Sequence, residues 1–104
     1  MSEETKLPEV TQDQIDAWKK EHGRVFVTRH PRITVYYRLI GRDDYVKVME
    51  AQMAGRDAEI EAIKLVALNE IDYSVFDTYI GTATVIHDDI MKTAGFVAVQ
   101  SEEL

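Results

Sequence analysis

Residues 24–40, "RVFVTRHPRITVYYRLI", constrain this chain more than any other stretch. β-branched and aromatic residues crowd both sides of a His30-Pro31 break. That pattern predicts a two-stranded hairpin, with Arg24–Arg29 paired to Ile33–Ile40. In the second strand Ile33, Val35, Tyr37 and Leu39 alternate onto one face, read as core. Thr34, Tyr36 and Arg38 fall on the other, an amphipathic face open to water.

Helical signals surround the hairpin. Thr11 with Gln14 three residues later is a capping box, and Ile15 and Trp18 share a helical face. Gly23 suits the residue after a helix end. A first helix over Gln12–His22 follows, too short to stand alone and expected to lay Trp18 on the rest of the fold. After Gly41, Asp43 or Asp44 is expected to cap a second helix whose inward stripe is Tyr45, Val48, Met49 and Met53. Gly55 ends it. Asp57 starts a third helix, with Ile60, Ile63, Ala67 and Leu68 inward. "NEIDYSVFDTYIG" reads as a loop holding a short helix, and helical spacing returns from Thr82 to Thr93 through Ala83, Ile86, Ile90 and Ala94. Gly95-Phe96 fits a terminus with Phe96 folded back on the last turn.

The expected fold class is α+β: an N-terminal helix, a two-stranded antiparallel hairpin, then a mainly helical C-terminal part packed on it. Tyr37, Leu39, Val48, Ile60, Ile63, Ile86 and Ile90 are the expected core. With 104 residues the chain makes one small domain, residues 11–104, preceded by a flexible acidic arm over 1–10 and ending in a frayed acidic tail. No apolar run approaches the ~20 residues that span a bilayer, and the polar N-terminus lacks a signal-peptide pattern. The expected location is the cytoplasm, with no membrane partner.

Catalytic and metal chemistry find little support. Cysteine is absent, which removes disulfides and thiolate metal sites. The glycines are isolated, so no phosphate loop exists, and no serine has a histidine neighbour in sequence. His87-Asp88-Asp89 is the nearest approach to a metal site. Adjacent helical residues point about 100° apart, so the three cannot converge on one ion. A polar helix face is the simpler reading. No enzyme activity, metal or cofactor is expected.

Charge distribution is more informative. Between Trp18 and Arg42 stand seven basic residues (Lys19, Lys20, Arg24, Arg29, Arg32, Arg38, Arg42) against one acid, Glu21, a segment of +6. With a net charge of −7 for the whole chain, the remainder is −13. Arg24, Arg29, Arg32 and Arg38 interleave with Phe26, Tyr36 and Tyr37. That combination suits a protein interface, a plain solvated strand face, or single-stranded nucleic acid. Nucleic acid ranks last, because the −13 elsewhere repels a polyanion. Scattered basic residues likewise weaken a further alternative, an acidic inhibitor imitating nucleic acid. Met49 and Met53 read first as core filling and second as an adaptable binding groove. The candidate partner-binding residues are Trp18, Arg24, Arg29, Arg32, Tyr36, Arg38, Met49 and Met53.

"QIDAWKKEHGRVFVT", "VYYRLIGRDDYVKVM" and "DDIMKTAGF" together resemble the tail assembly chaperones of long-tailed bacteriophages. The matching positions are Ile15, Trp18, Lys19, Lys20, Gly23, Val25, Tyr37, Arg38, Arg42 and Tyr45, with Ala94, Gly95 and Phe96 at the end. The similarity covers about Thr11 to Phe96. His22 stands where the family usually has tyrosine, and Gly41 where proline is frequent. The resemblance implies a non-catalytic cytosolic protein that coats the helical tape-measure protein before the tail tube polymerises. It also implies a homo-oligomer and a longer frameshifted form sharing this N-terminal domain. A polarised chain suits head-to-tail contacts between copies.

Overall fold

Thr11 sets where the first helix begins. In the computed structural model, which describes residues 9–104, α1 runs Gln12–His22. The Thr11 hydroxyl accepts the Gln14 N–H at 3.2 Å, and Gln14 Oε1 accepts the Thr11 N–H at 2.9 Å. Both halves of the capping box are present. Gly23 ends the helix at φ 85°, a conformation that costs other residues strain, and its N–H donates to the Lys19 carbonyl. No residue of α1 is fully buried. The helix instead rests Trp18 on Tyr36, ring centroids 5.9 Å apart. Nearly all of the predicted acidic arm lies outside the described residues; Glu9 and Val10 carry no regular structure.

β1 (Val25–His30) and β2 (Ile33–Arg38) pair antiparallel, with Phe26 opposite Tyr37, Thr28 opposite Val35 and His30 opposite Ile33. Pro31 and Arg32 make the turn, where proline's fixed φ suits the first position. Val35 and Tyr37 are buried, with Phe26 stacked on Tyr37 at 5.5 Å. Leu39 corrects the expected alternation. The strand ends at Arg38, so the period-2 rule stops there; Leu39 is 38% exposed and Ile40 goes inward instead.

Four helices follow: α2 (Arg42–Met53), α3 (Ala58–Val66), α4 (Ser74–Thr78) and α5 (Gly81–Thr93). α2 and α5 stop on the same device. Gly55 and Gly95 take φ 84° and 97°, and the next N–H, of Arg56 and Phe96, reaches back to Ala51 and Met91. Asp57 caps α3 through the Ile60 N–H at 3.0 Å. The cap of α2 differs from expectation: Gly41 is the N-cap, and Asp44 sits inside the first turn, accepting the Gly41 N–H at 2.9 Å.

α2 packs on α3, and α3 on α5, while α5 also reaches β1. The core joins Val35, Tyr37 and Ile40 to Val48, Ala62, Ile63, Val66, Phe76, Ala83, Ile86 and Ile90. Each fully buried isoleucine contributes about 1.5–3 kcal/mol relative to exposure. The chain is an α+β domain with helices packed on one hairpin face.

Two helical stripes are rotated from the prediction. α2 buries Val48 and Ala51, leaving Met49 48% and Met53 87% exposed. With Val48 and Ala51 on the buried side of α2, both methionines point outward, which overturns their core-filling reading. α3 buries Ala62, Ile63 and Val66, with Ile60 only half-buried. It ends at Val66, before Ala67 and Leu68, because the chain turns extended there. Ala67 forms a bridge with Tyr37, and the Leu68 N–H donates to the Tyr36 carbonyl at 2.7 Å. Asn69 continues this stub, accepting the Tyr36 N–H at 2.8 Å and donating to the Thr34 carbonyl at 3.0 Å. The outer edge of β2 is thereby closed.

Candidate functional site

Local sequence places the arginines on the hairpin, but tertiary contacts decide which remain available. Arg38 is engaged inside the fold. Its guanidinium donates to both Asp44 oxygens, at 2.7 and 2.9 Å, and to the carbonyls of Leu65 and Leu39. Those bonds hold the Asp44 carboxyl below its usual range and raise Arg38. Arg32 lies over the Tyr79 ring at 3.5 Å and Arg24 over Phe26 at 5.1 Å. Arg29 is exposed, with no such ring beneath it among the described residues. Lys19, Lys20 and Arg42 are exposed as well.

Tyr36 is not an open stacking platform, because Trp18 lies against it. The structure therefore brings Trp18 and Tyr36 together between α1 and β2. Met49 belongs to a different surface. With Tyr45, Val48, Ala58, Met91 and Phe96 it lines a groove of about 560 Å³ between α2 and α5. Phe96 reaches it because the α5 terminus bends back, setting its ring 5.5 Å from Tyr45. Phe96 is 54% exposed; its N–H bonds back to Met91 in the last turn of α5 while its ring meets Tyr45 of α2. Met53, one turn beyond, is exposed outside the groove. The hollow beside the hairpin is polar by comparison, with Glu70 and Asp72 facing Arg32 and Thr34.

The groove is the larger apolar surface, and sequence reasoning identified only Met49 of its exposed lining. Tyr45, Ala58, Met91 and Phe96 come from separate elements. No single periodicity links them, although Gly95-Phe96 marked the terminus that carries one wall. Thioether and aromatic walls adapt to varied apolar side chains, and an exposed patch of this kind marks a contact surface.

One rim of the groove gathers Glu59, His87 and Asp88, whose ligand atoms lie within 4.8 Å of one another. His87 Nδ1 is 3.4 Å from Asp88 and 3.8 Å from Glu59, and Thr84 donates to Glu59 at 2.8 Å. Glu59 joins from α3 where Asp89 was considered. Among the described residues this is the group of potential metal ligands that comes together, and it lies on a partly exposed rim. The other groups with displaced ionisation are the Tyr37 and Tyr73 phenols, both raised by burial. An ion pair, one buried phenol and one partly buried phenol do not assemble a nucleophile with a base.

No protein-family model, curated relative or solved structure matches this chain. Among the described residues, no helix is long and apolar enough to cross a membrane.

Proposed function

We propose that this protein is a non-catalytic tail assembly chaperone of a long-tailed bacteriophage, holding the tape-measure protein in the host cytoplasm before the tail tube forms. The single observation that carries the binding reading is the groove between α2 and α5. It is apolar, open, and walled by Met49, Met91 and Phe96. A long amphipathic client helix presents an apolar stripe that aggregates unless covered, and side chains spaced i, i+3, i+4 enter such a groove. The identity of the client rests on the resemblance in residues 11–96. Many copies bound weakly along one client account for self-association, and a longer frameshifted form would carry the same groove. Arg38 bound to Asp44, and Tyr36 covered by Trp18, disfavour single-stranded nucleic acid.

The test is co-expression with the tape-measure protein encoded in the same tail gene cluster. The client is expected to be soluble and to co-purify only when this protein is present. Met49→Glu should abolish co-purification. A client that stays soluble alone, or that binds Met49→Glu as well as wild type, overturns the reading.

A further inference from the structure

The hairpin has one closed edge and one open edge. Its two-residue turn makes His30 and Ile33 a hydrogen-bonded pair, and the pairing alternates from there. Val25, Val27 and Arg29 therefore turn their N–H and C=O groups away from β2. The same parity turns Thr34 and Tyr36 outward on the other side, where Leu68 and Asn69 meet them. Among the described residues, nothing bonds the outer edge of β1. An unpaired edge of this kind is a template for another strand.

A matching strand exists in the chain. Residues 96–104 have no regular secondary structure after α5. Val97 and Val99 are 59% and 84% exposed on a β-prone run, and among the described residues no backbone bond ties the run beyond Val97 to the rest of the fold. Val97–Ser101 spans nearly the length of the six-residue β1. The run continues into Glu102 and Glu103, while an arginine stands at each end of β1, Arg24 before it and Arg29 within its last turn of register. Acids following the tail strand meet a guanidinium whichever direction the strand takes. Pairing β1 with β1 of another copy would instead bring these arginines toward one another.

We propose that the tail of one copy adds as a third strand to the β1 edge of the next. The joint is heterologous: tail and edge are different surfaces, so each copy offers one of each, and growth gives a ring or an open chain. It rests on the self-association in the reading above and not on the client.

Because the chain has no cysteine, engineered thiols report the contact without background. Arg29→Cys protein is mixed with Val97→Cys, Ala98→Cys or Val99→Cys protein and oxidised mildly. At least one mixture is expected to give mixed disulfide dimer in tenfold excess over a Glu50→Cys control on α2. Sedimentation velocity then compares Ala98→Pro with Val99→Pro. Successive N–H groups point to opposite sides of a strand, so one proline should weaken self-association at least tenfold and its neighbour far less. Thermal stability should be unchanged in both, since the tail lies outside the core. The proposal is overturned by no crosslink above control, by Arg29→Cys linking mainly to itself, by a wild-type monomer at all concentrations, or by prolines without effect. Client co-purification can succeed or fail independently of these results.

Discussion

Arg38 and Asp44 face one another through two parallel hydrogen bonds of 2.7 and 2.9 Å, at the point where β2 hands the chain to α2. The same carboxylate accepts the Gly41 N–H, and the same guanidinium donates to Leu65 at the end of α3. Four segments thus converge on one ion pair, with side chains 26% and 13% exposed. A residue whose composition suggested a partner contact joins the hairpin to the helices.

Arg38→Ala should destabilise the fold by about 2–3 kcal/mol, because a largely buried carboxylate and the Leu65 carbonyl lose their donor. Urea unfolding measures this; a loss within about 0.5 kcal/mol would make the pair a surface ornament.

The pair also sets an acid limit. The Asp44 pKa is lowered on folding, so its contribution is present above the unfolded carboxyl pKa and is lost as pH falls through the lower folded value. Asp44→Asn should be less stable than wild type at neutral pH, and the difference should shrink toward the acid end. Melting curves across that range check the sign.

Asn69→Ala removes the two side-chain bonds that close the β2 edge, leaving only the Leu68 backbone bond, and should cost about 1–2 kcal/mol. Asn69→Asp keeps an acceptor for the Tyr36 N–H but loses the donor to Thr34, and should fall between. Hydrogen exchange at the Tyr36 amide should quicken most in Asn69→Ala.

Met49→Glu should leave stability within about 0.5 kcal/mol, as expected of an exposed site. Ile86→Ala, at a fully buried site on α5, should cost about 2–5 kcal/mol. Comparing the two by thermal denaturation separates the groove wall from the core beneath it.

Self-association should weaken with salt, and Arg29→Glu should reduce oligomer size with little change in melting temperature. Arg32→Glu should do so with a further loss of about 0.5–1 kcal/mol, since it also removes the contact over Tyr79. Sedimentation velocity over a salt series, with melting curves on each variant, checks both.

What the sequence determined by itself is local. The Thr11–Gln14 capping box, the Asp57 cap, the Gly23, Gly55 and Gly95 terminations and the Pro31 turn each depend on groups a few residues apart. Short-range sterics and hydrogen bonds decide them before any packing exists. The α+β class followed from those signals and from the β-branched hairpin. Tertiary structure alone decided the rest. Met49 and Met53 share a plausible apolar stripe with Val48, yet α2 docks with Val48 and Ala51 inward and leaves both methionines outside. Leu39 lost its place to Ile40 because the strand stopped at Arg38, and Arg38 meets Asp44 and Leu65 because α2 and α3 pack where β2 ends. The groove required Tyr45, Ala58, Met91 and Phe96, and the β2 edge required Asn69, from elements distant in sequence. Periodicity specifies which way a side chain points from its own helix or strand; it carries no information about what another element brings to meet it.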